Sequence, residues 1–276
     1  MKTILIVVAG MADLPEPLTR RDTPLTAAHL PSLQILAQSG ALTTMPTLLP
    51  NDEVSHSNAL LSLLGYDLAR GVPSVKELMH FGLDATDSLE NYPTLRHFVI
   101  PGFSSHGVCI TPSAWVRGAG KCALLRPLDI YTPGSSDIEI LDSIATMATK
   151  AIEKEEFVFI YVDTPLRSSL RGDYEGKVRA LELIDRHLIN PIADYVWKSE
   201  MLLQLAVTTD LVTPWHRHAP ALLPVPVLIY FNNRDLGEEG TFSFTEVEAM
   251  LQEKFLLEPS DLMRYLCNFN VTEEEI

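Results

Sequence analysis

The sequence predicts an α/β fold in which a mostly parallel sheet carries helices on both faces. Short aliphatic segments alternate along the chain with longer helical patterns, an order typical of parallel sheets. The short segments are apolar at nearly every position, as in strands that are covered on both sides. The chain has 276 residues, of which 46% are hydrophobic and 21% charged. A globular chain of this size can bury a large core.

The strands are predicted from five short apolar segments. They cover residues 3–9, 107–111, 157–162, 202–208 and 225–230. The first segment superficially resembles a secretory signal, but its apolar stretch meets Asp13 and Glu16 too early for one. No stretch approaches the roughly 20 apolar residues that a membrane span needs. We therefore expect a buried first strand and a cytoplasmic protein.

Helical patterns lie between these strands. Residues 25–39 follow a start signal at Thr23-Pro24 and end before Gly40. Residues 137–154 and 176–196 each repeat apolar side chains along one helical face. Because Pro191 lacks an amide hydrogen, it must break or kink the last of these helices.

The charge balance restricts the partners. The chain carries 36 acidic and 21 basic residues, for a formal net charge of −15. Such a surface repels nucleic acid and anionic membranes, so neither is expected as a partner. A small phosphorylated metabolite remains compatible with it, because a pocket can hold a local field opposite to the global one. Cys109, Cys122 and Cys267 lack C-x-x-C spacing, and reduced, mostly buried thiols are predicted.

Several segments resemble one known family, in the same order along the chain. Residues 23–33 fit the pattern T-P-L-x-x-A-x-x-P-x-L, and residues 62–67 are similar to a segment L-x-x-L-G-Y-D. Residues 115–121, 131–136 and 207–214 are similar to V-K-G-I-G-R, V-P-G-A-T-G and T-A-D-H-S-T-P. Together they resemble the archaeal-type cofactor-independent phosphoglycerate mutases of the alkaline phosphatase superfamily.

The resemblance implies a fold and a chemistry. The fold would be a three-layer alkaline-phosphatase-like core. The family moves phosphate between the 3- and 2-positions of glycerate through a phosphoserine and two divalent metals, usually manganese. Such chemistry needs carboxylates and imidazoles clustered at the carboxyl ends of strands.

Most of these ligand positions are replaced here. The family aspartate after the first strand corresponds to Ala9, and the D-x-x-x-H motif corresponds to Leu166 and Leu170. The histidine of the family's Asp-His pair corresponds to Leu211, whereas its aspartate is kept as Asp210. A leucine offers no lone pair to a metal. Asp163 would replace a lost carboxylate only if the alignment carries a gap.

The candidate site residues follow from the same alignment. His56 stands at the nucleophile position, so His56 and Ser57 are the catalytic candidates. Asp210, His216 and His218 are the metal candidates, because imidazoles two apart on an extended segment point the same way. No cofactor is expected with these replacements, and manganese or zinc would be the metal of a rebuilt site.

The polar residues around these positions have simpler interpretations. Asp13 is expected to be a helix cap or a turn residue. Arg167, Arg171 and Lys177 lie near the replaced D-x-x-x-H motif and favour an anion or a salt bridge over a metal ion. The glycines of residues 118–120 are interpreted as a turn.

The segment 68–104 stands where the family carries a cap domain. It is too short for an independent domain, so residues 1–276 are predicted to form one domain in which 68–104 replaces the cap as a connector. Leu78, Met79, Phe81 and Leu83 make it unusually apolar. We expect this segment either to fill the old active site or to contribute to a symmetric homodimer.

Two functional hypotheses follow. The first is a mutase-like protein without mutase activity, kept for binding or assembly. The alternative is a metal-dependent phosphotransferase or phosphatase that uses His56 or Ser57 on a small phosphorylated metabolite. The replaced ligand positions favour the first.

Overall fold

A seven-stranded sheet lies at the centre of the part of the chain that the structure describes. The structure is a computed structural model that describes residues 1–18, 21–83, 107–130, 134–233, 243–252 and 258–267. The strands are β1 (Lys2–Val8), β2 (Ala41–Met45), β3 (Gly107–Ile110), β4 (Arg126–Leu128), β5 (Phe157–Val162), β6 (Leu203–Thr208) and β7 (Val225–Phe231). Their order across the sheet is β2-β7-β6-β1-β5-β3-β4.

The sheet is mostly parallel, as predicted. β1 pairs in parallel with both β5 and β6, so that Ile6 lies between Ile160 and Val207. β3 pairs in parallel with β5 and β4. β7 runs antiparallel to β6 and β2. The antiparallel strands β7 and β2 therefore lie at one edge of the sheet, and the parallel strands β6, β1 and β5 end on the same side.

The sequence predicted five of these strands and missed β2 and β4. β2 contains two adjacent threonines, Thr43 and Thr44, and does not form an aliphatic run. β4 has three residues and includes Pro127. It lies at the edge of the sheet, where a proline costs no ladder hydrogen bond if its nitrogen faces outward. Both strands are edge strands, whose sequences need not be continuously apolar.

Helices pack on both faces of the sheet. They are α1 (Pro24–Ala27), α2 (Pro31–Ser39), α3 (His56–Leu63), α4 (Val75–Leu83), α5 (Ala114–Cys122), α6 (Asp137–Ile152), α7 (Thr164–Leu170), α8 (Tyr174–Ile184), α9 (Asn190–Lys198), α10 (Glu246–Leu251) and α11 (Asp261–Cys267). None of the helices described is both long and apolar enough to cross a bilayer.

Two buried clusters show the three layers. Ile4 and Ile6 of β1 belong to one cluster, together with Ile144 of α6. Leu5 of β1 belongs to the other, together with Leu60 of α3. Alternate residues of a strand face opposite sides of the sheet, so each cluster fills one side. This confirms the predicted three-layer arrangement.

The predicted helix 25–39 is wrong, since the chain forms two helices there. α1 ends at Ala27, and the Ala28 amide donates to the Pro24 carbonyl. Leu30 then takes a non-helical conformation before Pro31, which begins α2. A residue that precedes proline is disfavoured in the helical region, which explains the interruption.

The predicted helix 176–196 begins at Tyr174 and passes Pro191 without a break. A π-helical turn, Asp185–Ile189, joins α8 to α9, and Pro191 lies in the first turn of α9. The wider turn removes the need for a hydrogen bond from the proline nitrogen. It also presents Asp185 to α2, where its carboxylate accepts the Ser32 and Leu33 amides at 3.1 and 2.9 Å.

The glycines of residues 118–120 lie in helix α5, which corrects their interpretation as a turn. α5 packs closely on α4. A Cβ at Gly118 would lie 1.9 Å from the Leu78 carbonyl oxygen, and one at Gly82 would lie 1.8 Å from the Ala114 oxygen. Only glycine permits this backbone approach.

Part of the segment 68–104 is therefore a packed helix, because α4 belongs to it and lies against α5. Residues 84–104 lie outside the described residues. The single-domain organisation and the homodimer stay predictions.

The described cysteines are buried and unpaired. Burial raises the pKa of both the Cys109 and Cys122 thiols to about 12. They are protonated at neutral pH and have little nucleophilic character. The side chain of Cys267 lies outside the described residues.

Candidate functional site

The carboxyl ends of β1, β5 and β6 meet at one edge of the sheet, because these neighbouring strands are parallel. Ala9 follows β1, Asp163 follows β5, and Asp210 lies two residues after β6. Ligands of open parallel sheets bind at this kind of edge. The positions that the resemblance selected are therefore brought together here.

His56 and Asp210 form a hydrogen-bonded pair at this edge. Ser55 caps α3 by accepting the Asn58 amide at 3.2 Å, which makes His56 the first residue of the helix. His56 Nδ1 lies 2.8 Å from Asp210 Oδ2. The Asp210 side chain is 0% exposed and that of His56 is 17% exposed. The structure thus pairs two residues that the resemblance places at the nucleophile and at a metal-binding aspartate.

The carboxylate of Asp210 accepts further hydrogen bonds. The Tyr161 hydroxyl donates to Oδ2 at 3.3 Å, and the Leu211 amide donates to Oδ1 at 2.8 Å. The Thr209 hydroxyl is 3.4 Å from Oδ1. A carboxylate offers about four lone-pair sites. Groups of the protein itself occupy them.

The carboxylate of Asp210 favours the protonated form of the half-buried His56. Burial by itself lowers the pKa of His56, but the charge and hydrogen bond of Asp210 oppose it, and the pKa is raised overall. The other ring nitrogen, Nε2, is buried and has no hydrogen-bond partner among the described residues. Burial, with the nearby Asp210 charge, also raises the pKa of Tyr161, so its hydroxyl stays a donor.

Three of the four positions at which the resemblance places metal ligands pack against apolar neighbours, whereas the fourth, Leu170, is exposed. The Leu166 amide donates to the Ala9 carbonyl at 3.0 Å. Gly10 has a φ of +70°, and a Cβ there would lie 2.6 Å from Leu166 Cα. Leu211 is buried against Leu48 and Ala59. Ala9 and Leu166 therefore lie side by side, and neither side chain offers an oxygen or nitrogen to a metal ion.

Asp163 lies at the edge but already has a cationic partner. It precedes α7, and its carboxylate lies 3.3 Å from Arg167 Nε. Burial raises the pKa of Asp163, and the Arg167 charge works against this rise. A guanidinium at this distance repels a metal ion. Whether Asp163 takes the place of the family carboxylate at Ala9 stays a prediction.

Ser57, the other catalytic candidate, lies in the first turn of α3. Its hydroxyl is 3.2 Å from that of Ser55. The described residues show no hydrogen bond from it to His56 or Asp210. Its catalytic role stays a prediction.

His216 and His218 do not lie on an extended segment, which corrects the basis of their selection. The amides of Arg217 and His218 both donate to the Pro214 carbonyl, at 3.0 and 3.2 Å, and coil the chain into a turn. His218 takes a positive φ of 55°. The assignment of Asp210, His216 and His218 as metal ligands stays a prediction. Within the described ranges, no three His, Cys, Asp or Glu residues are grouped to hold a metal.

Asp13 and Lys177 form a buried ion pair, which corrects the interpretation of Asp13 as a cap or turn residue and agrees with the salt bridge expected for Lys177. Lys177 Nζ lies 2.6 Å from Asp13 Oδ2 and donates to the Thr213 carbonyl at 3.0 Å. Both side chains are 0% exposed. Burial lowers the pKa of Lys177, and Asp13 opposes the change. The ammonium group joins α8 to the loops after β1 and β6 and is closed to a ligand.

Two residues of this region were missed from the sequence. Tyr161 is a polar aromatic residue in an otherwise apolar strand, and this contrast is the signal that indicates it. Glu246 of α10 accepts the Asp13 amide and the Thr23 hydroxyl, both at 2.9 Å. Because Glu246 lies far along the chain from Asp13 and Thr23, no local sequence pattern indicates these contacts.

Comparisons with known proteins agree with the fold. The PH0037 protein from Pyrococcus horikoshii is 22% identical with a TM-score of 0.76, covering 97% of this chain and 96% of that one. A cofactor-independent phosphoglycerate mutase from Thermoplasma acidophilum is 15% identical with a TM-score of 0.65, covering 97% and 99%. An alkaline phosphatase from the Antarctic bacterium TAB5 has a TM-score of 0.51 at 10% identity, covering 97% and 96%.

Sequence comparisons point the same way. A 2,3-bisphosphoglycerate-independent phosphoglycerate mutase from Aeropyrum pernix is 29% identical over 143 residues, which are 52% of this chain and 34% of that protein. One from Pyrobaculum calidifontis is 24% identical over 204 residues, or 73% and 46%. The matched part therefore spans less than half the length of either relative.

The fold and the edge site define the class, an alkaline-phosphatase-like α/β protein. The family model of the metalloenzyme superfamily matches residues 1–259. The chain belongs to the metalloenzyme superfamily, and it is phosphoglycerate-mutase-like within it.

Proposed function

We propose that this protein has lost the metal-dependent mutase reaction and keeps the mutase-like core for binding or assembly. One observation carries the proposal. The retained family aspartate, Asp210, is bonded to His56, the residue at the nucleophile position. A carboxylate whose lone pairs are already taken up by the imidazole and by other groups of the protein has little capacity left for a divalent ion.

The surrounding residues support the same conclusion. Ala9 and Leu166 pack together where the family places ligands, and Leu211 lies in an apolar cluster. Two-metal phosphoryl transfer needs several hard oxygen and nitrogen ligands to hold the ions about 3.5–4 Å apart. This donor set does not fit such a centre, so no step through a metal is derived for this chain.

Mutase assays test the proposal. Purified protein with manganese and 3-phosphoglycerate is expected to show no turnover above buffer, because both the ligands and the serine nucleophile are replaced. An active archaeal mutase, assayed in parallel, is the positive control. Turnover that disappears in His56→Ala would contradict the proposal, since the chain would then use a rebuilt site.

A further inference from the structure

The edge of the sheet at β2 is built from sequence without charged side chains. Residues 30–51 and 219–233 contain no Asp, Glu, Lys, Arg or His, although 21% of the whole chain is charged. The first stretch includes α2 and β2, and the second includes β7. β2 is the outermost strand and pairs with β7, and α2 packs on β7. The two stretches therefore form one continuous region, which we call the uncharged edge.

An apolar groove of about 350 Å³ opens on the uncharged edge. Leucines and prolines of two short arms line it, the first arm being residues 46–50 and the second arm residues 220–224. Both arms have the sequence pattern Pro-x-Leu-Leu-Pro. The arms run in opposite directions, because the first follows β2, the second precedes β7, and these two strands are antiparallel. The groove therefore presents the same types of side chain when it is turned by half a rotation.

The arms expose apolar side chains but few backbone donors. Leu49 is 52% exposed and Leu223 is 38% exposed. The Leu49 amide donates to the Asp52 carboxylate at 2.8 Å, and the Leu223 amide donates to the Ala221 carbonyl at 3.1 Å. The prolines have no amide hydrogen to satisfy. Covering the arms therefore removes apolar surface from water and leaves both of these leucine amides paired.

The charge distribution indicates which partner suits this surface. The chain has a net charge of −15, so two copies repel each other wherever their acidic surfaces meet. A basic partner is attracted to those acidic surfaces and not to an uncharged edge. Cores of protein interfaces are depleted of charged residues, and the uncharged edge lets two copies meet without bringing carboxylates together. A twofold contact also needs protruding groups and a groove on the same surface, and the arms supply both.

We propose that the uncharged edge is the interface of a twofold-symmetric homodimer. Leu49 of each copy enters the groove of the other, so that the first arm of one copy lies against the second arm of its partner. The inference rests on the assembly role proposed above and names a second copy of this chain as the partner. The interface lies outside the segment 68–104, where the sequence alone suggested the dimer contact.

Sedimentation equilibrium of the whole chain tests the dimer. The monomer mass is 30.7 kDa. We expect twice this mass at about 100 μM protein, a concentration at which a dimer with a micromolar dissociation constant is mostly formed. A monomer mass at that concentration would overturn the proposal. A series of masses above the dimer would overturn it too, since a twofold contact closes at two copies.

Variants locate the interface. Leu49→Glu should raise the dissociation constant of the dimer about tenfold or more, because it places an unpaired carboxylate in the apolar contact. Leu202→Glu is the matched control. Leu202 is 53% exposed, but it precedes β6 and so lies at the end of the strands opposite to the arms. Equal dissociation constants for these two variants would contradict the proposal.

Two further measurements keep the result unambiguous. Circular dichroism checks that each variant is folded, and Leu223→Glu on the second arm, with the same expected effect, replaces Leu49→Glu if that variant is not. The mass of the protein and its mutase turnover are measured separately. A monomeric protein without turnover would contradict the dimer alone, and a dimeric protein with turnover would contradict the lost reaction alone.

Discussion

Lys177→Met is expected to lower the free energy of unfolding by about 3–5 kcal/mol, because it leaves the buried Asp13 carboxylate without its cation. Lys177 Nζ also donates to the carbonyl oxygens of Thr213 and Ala12, at 3.0 and 3.3 Å. These two buried oxygens lose their hydrogen-bond donor as well. Because the Asp13 amide donates to Glu246 of α10, we expect a shift of Asp13 to weaken the packing of α10 too. Denaturant unfolding followed by circular dichroism measures the change.

Lys198→Met is the matched control for this substitution. Lys198 also pairs with an aspartate, Asp194, but its side chain is 73% exposed. Removing an exposed pair costs at most about 1 kcal/mol. Adding Asp13→Leu to Lys177→Met should recover part of the loss, because the unpaired charge is removed. If the Lys177→Met protein were as stable as the Lys198→Met protein, the buried Asp13–Lys177 pair would contribute little to the stability of the fold.

Gly118→Ala should destabilise the protein by about 1–3 kcal/mol through overpacking of α4 on α5. In an unobstructed helix the same change would stabilise by about 1 kcal/mol, so the sign of the effect is diagnostic. Here the new methyl carbon would lie 1.9 Å from the Leu78 carbonyl oxygen, which is backbone and cannot rotate away. Thermal and denaturant unfolding measure the effect.

Gly120→Ala is a graded control in the same helix. A Cβ at Gly120 would meet the Cys109 side chain at 2.8 Å, a milder overlap than at Gly118. The loss of stability should therefore be smaller. If Gly118→Ala proved as stable as the parent protein, the close crossing of α4 and α5 would be wrong.

Local patterns were enough to predict the centre of the fold. β1, β5 and β6 are buried on both faces, so their sequences are mostly apolar and easily recognised. The edge strands β2 and β4 carry no such signal. The interrupted helix near Pro31 and the π-helical turn before Pro191 depend on the chain's three-dimensional path.

The candidate site was predictable only in part. Alignment identified Ala9, His56, Leu166 and Asp210, which the structure places at one edge. The 2.8 Å contact between His56 and Asp210 joins residues far apart in sequence, and no spacing rule reveals it. Lys177 shows the limit most clearly, since a lysine in an amphipathic helix is usually exposed and this one is fully buried.

Manganese binding to the purified protein tests the proposed loss of the metal centre most directly. Electron paramagnetic resonance of a manganese titration reports the free ion and gives the number bound per chain. The His56–Asp210 pair and the apolar contacts of Ala9, Leu166 and Leu211 predict no stoichiometric binding, and the same titration curve for the parent protein and for Asp210→Asn. One or two tightly bound manganese ions per chain, lost in Asp210→Asn, would contradict the account.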